Sequence, residues 1–201
     1  MHEAIIALGR LTFIFGRVNR STYHDDGTTP ESDTDHTVML GLVACAFAER
    51  KFPELDVGLI AQYALVHDLV EAYSGDTCTL WELSEEAKNE KHDRERAAYD
   101  IIAKEFSSVL PWLPNRISEY ESRKTPEARY VKAIDKLLPK IAHILNGLVT
   151  FHQQGMTRDQ LIMRYNTQLI EMKDYAADFT QLFELREDLV DEVLNHDNWT
   201  L

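Results

Sequence analysis

Apolar side chains recur every three or four residues over most of this chain, which is the period of amphipathic α-helices. Leu40, Val43 and Phe47 form one such stripe, and Ile60 and Ala64 begin another. Glycine (8 residues) and proline (6 residues) are too scarce for a sheet-rich protein with many tight turns. The pattern therefore predicts an all-α fold.

Capping residues and prolines set the expected helix boundaries. Asp56 is placed as an N-cap, and Gly75 follows the end of the same helix, where glycine is the usual residue. Thr125 and Pro126 start a later helix, whereas Pro139 predicts a kink inside it. The predicted elements, in chain order, are a helix from Ile5 to about Arg17–Arg20, a polar loop over Ser21–Asp33, helices over about 34–51, 57–73 and 84–106, a turn at Pro111–Pro114, and helices over about 126–149 and 157–194.

The last of these regions opens with a capping box, in which Thr157 and Gln160 satisfy each other's backbone N–H groups. A break is expected near Asp178. No segment is long enough to act as an interdomain linker, so we predict a single domain over residues 1–201.

Charge limits the class of partner. The 201 residues include 21 Lys+Arg against 34 Asp+Glu, for a formal net charge of −13. This balance disfavours nucleic acid polymers, because their binding needs basic surface that displaces counterions from phosphates. Small phosphorylated ligands remain possible, since they require only a local pair of cations.

The chain is expected to lie in the cytoplasm, away from membranes. Its longest run without a charged residue or a histidine, Thr37–Ala48, is shorter than the about 20 apolar residues that cross a bilayer. The only two cysteines are Cys45 and Cys78, and the N-terminus lacks the basic-then-apolar pattern of a signal peptide. Few cysteines and no signal pattern favour a reducing compartment.

Polar residues interrupt three of the apolar stripes, at His36, His67 and Asp135. A carboxylate on a buried helix face is costly unless positive charge lies beside it, so we expect a cation near Asp135. Asp68 directly follows His67 and adds an oxygen ligand to its nitrogen. With His36 and Asp135 arriving from two other helices, these side chains form a two-histidine, two-aspartate set that suits one divalent transition metal, Mn, Co, Fe, Ni or Zn.

Two further acids lie close to this pair in sequence. Glu71 follows His67 by four residues and therefore shares its helix face, which suits a proton donor or acceptor. Asp76, just beyond Gly75, could orient the attacking water or a sugar hydroxyl. Asp76 is also a residue type common in ordinary turns.

The segment from His67 to Asp76, with His36 upstream and Asp135 downstream, resembles the motif of HD-domain phosphohydrolases, most closely the 5'-deoxynucleotidase branch. The resemblance covers about residues 5–145. It implies a compact HD-domain helical bundle, frequently dimeric, and leaves the C-terminal helices at about 157–194 as an addition. It also implies that His36, His67, Asp68 and Asp135 bind the metal, with Glu71 and Asp76 near the substrate.

The same resemblance implies an arginine at the end of the first helix that holds the substrate phosphate. Arg17 and Arg20 are the candidates, although either could instead be a favourable charge at a helix C-terminus. Val18 or Ser21 follows where the nucleotidase pattern has tryptophan, and the loop to His36 is longer. These departures leave open which nucleobase the substrate carries and how many phosphates it has.

We therefore predict a metal-dependent hydrolase, most simply one that converts a deoxynucleoside 5'-monophosphate to nucleoside and phosphate. The alternative within the family is a deoxynucleoside triphosphate triphosphohydrolase. An alternative of another class is a nucleotide-sensing HD domain without turnover, whose mark would be loss of Glu71 or Asp76. Both are present. The expected partners are a small nucleotide and further copies of this chain, as a homodimer or higher homo-oligomer.

Overall fold

The computed structural model describes residues 1–200, so Leu201, the last residue of the predicted domain, lies outside the described part. The chain is predominantly helical, with one two-stranded sheet, which confirms the all-α prediction. The elements are α1 (His2–Phe15), β1 (Asn19–Tyr23), β2 (Pro30–Ser32), α2 (Asp33–Lys51), α3 (Val57–Val66), α4 (Glu71–Ser74), α5 (Glu85–Phe106), α6 (Trp112–Ser122), α7 (Pro126–Asp135), α8 (Leu138–Leu145), α9 (Val149–Gln154), α10 (Arg158–Ala176), α11 (Thr180–Leu194) and a 3-10 turn (Asp197–Thr200).

The fold groups into two compact units, one formed by 1–20 and 32–131 and the other by 21–31 and 132 onward. In the first unit α2 packs against α3, and α1, α4, α5 and α6 enclose an apolar cluster. In the second unit α11 packs against α8 and α10.

The predicted helix caps are present. Asp56 Oδ1 accepts a hydrogen bond from the amide of Leu59 at the start of α3. Thr157 and Gln160 form the expected capping box at the start of α10, and that helix ends at Ala176, close to the predicted break. Short-range capping chemistry depends only on neighbouring residues, which explains why the sequence predicts it well.

The helix expected over 57–73 is interrupted where the motif residues lie. Helix α3 ends at Val66, and the chain continues with the tighter bonds Leu69 N–H to Val66 O (3.2 Å) and Glu71 N–H to Asp68 O (2.8 Å) before α4. Because of this tightening, Val66 and Ala72 both lie in the same apolar cluster. One straight helix would place them on different faces.

The predicted polar loop at 21–33 is largely a β-hairpin. Its strands are polar, so they lack the alternating apolar pattern that marks a strand in a sequence. At the turn, Asp26 Oδ1 accepts the amides of Thr28 and Thr29, both at 2.8 Å, and Gly27 takes a left-handed φ of 67°.

Two proline interpretations were wrong in detail. The segment predicted as a turn at Pro111–Pro114 forms the start of α6, where the missing proline N–H groups would have no helical partner. The kink predicted at Pro139 is a full break: α7 ends at Asp135, and Pro139 lies in the first turn of α8. Within the described residues, no helix combines the length and apolar character that a membrane crossing requires.

Candidate metal centre

Helix α2 positions His36 near its first turn. Ser32 caps the helix, accepting the amide of Asp35, and the Asp35 side chain accepts the Ser32 amide in return. This reciprocal cap fixes the backbone over the four residues before His36, whose side chain is buried. The imidazole is therefore held in a defined place.

The interruption between α3 and α4 carries His67 and Asp68. The Nδ1 atom of buried His67 lies 2.8 Å from the carbonyl oxygen of Ala64. A carbonyl only accepts, so Nδ1 is the donor in this bond, and in the neutral imidazole Nε2 then presents a lone pair. That Nε2 lies 3.0 Å from Asp68 Oδ2, which places two ligand-type atoms side by side.

Asp135 is the final residue of α7 and is buried. A carboxylate at the C-terminal end of a helix faces the negative end of the helix dipole, so its burial is doubly unfavourable without nearby cations. Lys132 Nζ lies 3.3 Å and Lys136 Nζ 3.7 Å from Asp135 Oδ2. The positive charge expected beside Asp135 is therefore present.

The structure brings the four predicted metal ligands together. His36, His67, Asp68 and Asp135 each offer one ligand atom, and these four atoms lie within 4.8 Å of one another. The centroids of the two imidazole rings are 5.4 Å apart. Two nitrogen and two oxygen donors in a largely buried cluster fit a divalent transition metal, whose identity this donor set leaves open.

Arg20, on β1, approaches the same cluster. Its Nη1 atom lies 3.0 Å from Asp68 Oδ2, 3.2 Å from Asp33 Oδ1 and 3.9 Å from Glu71 Oε2. Arg17, the other candidate, is exposed just before β1, and no side-chain hydrogen bond or ion pair joins it to another described residue. Of the two candidate arginines, Arg20 therefore contacts the acidic cluster and Arg17 does not.

Asp33 is a member of the site that sequence reasoning missed. It is the first residue of α2, and its side chain is 0% exposed. Burial, partly offset by the charge of Arg20, raises the pKa of Asp33 to about 6. The available signal was its spacing, since Asp33 precedes His36 by three residues and so shares its helix face.

Glu71 begins α4 and is buried next to this group. Burial raises the pKa of Glu71 to about 10, and the negative charges of Asp68, Asp76 and Asp33 act in the same direction, whereas Arg20 opposes them. Burial and these negative charges therefore favour the protonated carboxyl of Glu71 over its carboxylate.

Asp76 follows Gly75, which takes a left-handed φ of 73° that frees the chain from α4. Burial raises the pKa of Asp76, while the charges of Arg20 and Lys91 lower it. The adjacent Thr77 hydroxyl accepts a hydrogen bond from Arg94 Nη2 at 2.9 Å, which ties this loop to α5. Asp76 therefore belongs to the same electrostatic group as Glu71.

Comparison with known proteins places these residues in a family context. Residues 16–175 match the family model of the HD domain. The 5'-deoxynucleotidase HDDC2 of Xenopus laevis is 32% identical over 108 residues, covering 53% of this chain and 51% of that protein. The 5'-deoxynucleotidase hdd1 of Schizosaccharomyces pombe is 32% identical over 112 residues, covering 53% and 54%. The chain thus spans about half the length of the curated relatives it matches.

Solved structures agree with this relationship, because similar helical folds occur in two of them. The crystal structure of a predicted metal-dependent phosphohydrolase from Magnetospirillum magnetotacticum has a TM-score of 0.76 and 25% identity, covering 98% of this chain and 94% of that one. A conserved hypothetical protein from Pyrococcus furiosus shares the fold, with a TM-score of 0.59 and 24% identity over 92% of this chain and 98% of that one. From the family match over 16–175 and the gathered histidine and aspartate ligands, we conclude that this chain belongs to the HD-domain family.

Proposed function

We propose that this chain is a metal-dependent phosphohydrolase that converts a deoxynucleoside 5'-monophosphate to the nucleoside and inorganic phosphate. The observation that carries the proposal is the gathering of four ligand atoms within 4.8 Å. The names of the relatives, 5'-deoxynucleotidases, support this substrate class. The ligands are His36, His67, Asp68 and Asp135.

Phosphate binding falls to Arg20, whose guanidinium lies beside Asp68 and is 15% exposed. A guanidinium presents its N–H donors in a planar fork that matches two phosphate oxygens. When bound, a divalent ion supplies a Lewis acid that polarises a phosphoryl oxygen and makes water a stronger nucleophile. The exposed edge of Arg20 therefore marks where the phosphate enters.

We assign proton transfer to Glu71. Hydrolysis forms a bond from water oxygen to phosphorus and breaks the bond from phosphorus to the 5' oxygen, which leaves as the nucleoside hydroxyl and needs a proton. The buried carboxyl of Glu71 lies one turn beyond His67 and 3.9 Å from the arginine proposed to hold phosphate. Asp76 orients the attacking water or a sugar hydroxyl from the following loop.

The experiment that tests the proposal is phosphate release from all common ribo- and deoxyribonucleotides, with Mn, Co, Ni, Zn or Fe added and with chelator. We expect metal-dependent release of one phosphate from deoxynucleoside monophosphates. Activity that survives chelation would contradict the mechanism. Release of triphosphate from deoxynucleoside triphosphates would identify the triphosphohydrolase instead, and nucleotide binding without any product would identify a sensing domain.

The proposal extends to the setting in which the reaction occurs. We place the enzyme in the cytoplasm as a homodimer or higher homo-oligomer acting on small nucleotides. Its acidic composition, −13 overall, supports the absence of a nucleic acid polymer among its partners. Light scattering on the purified chain measures the oligomeric state, and a monomeric mass would contradict that part.

A further inference from the structure

We propose that Asp33 is a positioning residue whose carboxylate holds the Arg20 guanidinium in place before phosphate arrives. This inference rests on the proposed function and adds a residue to its phosphate site. It does not require Asp33 to touch the substrate or the metal. The contacts, the backbone and the charge around Asp33 support it in turn.

The contacts show one nitrogen shared by two acids. Arg20 Nη1 lies 3.2 Å from Asp33 Oδ1 and 3.0 Å from Asp68 Oδ2. Asp33 is outside the four-residue ligand set, so its contact with Arg20 does not compete with metal binding at Asp68. The Asp33 contact can therefore persist when the metal site is loaded.

The backbone holds both partners of this ion pair. The amide of Asp33 donates to the carbonyl oxygen of Val18 at 3.0 Å, two residues before Arg20. Asp33 also directly follows Ser32, the N-cap residue of α2, the helix that carries His36. The anchor for Arg20 is thus built on the same rigid helix as a metal ligand, which keeps guanidinium and metal site in register.

Asp33 and Arg20 interact strongly because the charge of Asp33 is buried. The Asp33 side chain is 0% exposed, and its Oδ2 atom has no hydrogen-bond partner among the described residues. A buried carboxylate loses its hydration, so Arg20 is the cation that offsets this loss. Arginine has many rotamers in solution, and a side chain already fixed by Asp33 loses less conformational entropy when phosphate binds.

The test measures binding of inorganic phosphate to the Mn²⁺-loaded full chain by calorimetry, so it needs no turnover. We expect Asp33→Ala to weaken phosphate binding about tenfold, the loss of one charge-assisted anchor. Asp33→Asn keeps the side-chain volume and an acceptor oxygen, so we expect it to retain part of the affinity. Mn²⁺ stoichiometry should stay unchanged in both variants.

A double-mutant cycle separates positioning from a merely structural role. If Asp33 acts through Arg20, adding Asp33→Ala to Arg20→Ala should cause no further loss of phosphate affinity. The matched control is Glu127→Gln, which alters another buried carboxylate, one that accepts the amide of Asp56 at 3.2 Å. This control should leave phosphate affinity unchanged even where it lowers stability.

The outcomes are distinguishable. Unchanged phosphate affinity in Asp33→Ala, additive losses in the cycle, or loss of Mn²⁺ would overturn the inference. If Asp33→Ala does not fold, the isosteric Asp33→Asn decides, and wild-type affinity in that variant then counts against positioning by charge. A wild-type chain that binds phosphate through Asp33 and Arg20 but hydrolyses no nucleotide would refute the proposed function while leaving this inference intact.

Discussion

Lys140 Nζ lies 4.5 Å from the centre of the Tyr165 ring, inside the unit formed by the C-terminal helices. The ammonium also donates to the carbonyl oxygen of Lys136 at 2.9 Å and to Gln168 Oε1 at 3.3 Å. Both residues of this cation–π pair are buried. Burial lowers the pKa of Lys140 from 10.5 to about 7, with help from the charges of Arg186, Lys136 and Arg164 and against that of Asp135.

This lowered pKa predicts a pH dependence of stability. Between about pH 7 and pH 10 the unfolded chain binds a proton at Lys140 that the folded chain has released, so Lys140 makes the free energy of unfolding rise with pH. The slope from one such group is at most about 1.4 kcal/mol per pH unit. Urea unfolding of wild type and Lys140→Met at pH 7, 8 and 9 measures it.

The difference between the two proteins isolates the one lysine. We expect the stability of wild type relative to Lys140→Met to increase with pH over this range. Lys124→Met is the control, because Lys124 is exposed, and its difference from wild type should stay constant. A constant difference for Lys140→Met as well would contradict the prediction.

Metal binding should stabilise the fold through the four gathered ligands. A ligand present at about 100 times its Kd raises the free energy of unfolding by about 2.7 kcal/mol. We therefore expect Mn²⁺ to raise the Tm of wild type, and His67→Ala or Asp68→Ala to lose both this shift and turnover. His92→Ala, which removes an exposed histidine on α5, should keep both.

Glu71 should affect chemistry without affecting metal. Glu71→Gln keeps the shape of the side chain but removes the transferable proton, so we expect kcat to fall roughly 10²- to 10⁴-fold. The Mn²⁺-induced Tm shift should persist. A variant that loses this shift would show that Glu71 supports the metal site and is not the proton donor.

The two arginines should behave differently. Arg20 contacts Asp68, whereas Arg17 is exposed before β1. Loss of a charged hydrogen-bond donor to phosphate corresponds to about 10- to 100-fold in affinity, so Arg20→Ala should raise KM by this factor. Arg17→Ala serves as the matched control with near wild-type KM, and equal effects of the two substitutions would refute the assignment.

The capping box of α10 predicts a purely structural effect. The Thr157 hydroxyl accepts the amide of Gln160 at 3.3 Å, so Thr157→Ala should lower the free energy of unfolding by about 1 kcal/mol. Phosphate release per folded molecule should not change. Thr167→Ala is the control, because the Thr167 hydroxyl bonds the carbonyl of Met163 within the helix and caps no terminus. Denaturant unfolding compares the two.

The sequence anticipated those parts of the fold that neighbouring residues determine. The caps at Asp56 and Thr157 and the turn at Gly75 depend on local hydrogen bonds and backbone conformation, and each is present. The candidate metal ligands were identifiable because His36, His67 and Asp135 are polar on apolar stripes, and the structure gathers them.

The features that were missed depend on tertiary contacts. The break after Val66 lets Ala72 join Val66 in a core shared with α1 and α5, and no local signal marks it. The strand that carries Arg20 is polar, so its sequence has no apolar pattern that would indicate a strand. It becomes recognisable only through its pairing with β2 across the hairpin turn. The role of Asp33 becomes visible only when the side chain of Arg20 is located.

The hydrogen bond between Val18 O and the Asp33 amide closes the hairpin at its base. The same bond joins the residue two before Arg20 to the first residue of the helix that carries His36. At the other end of the hairpin, a Cβ at Gly27 would lie 3.0 Å from the side chain of Val149, so the turn is closely packed. Hydrogen bonding at the base and packing at the tip therefore both restrict the length of this hairpin.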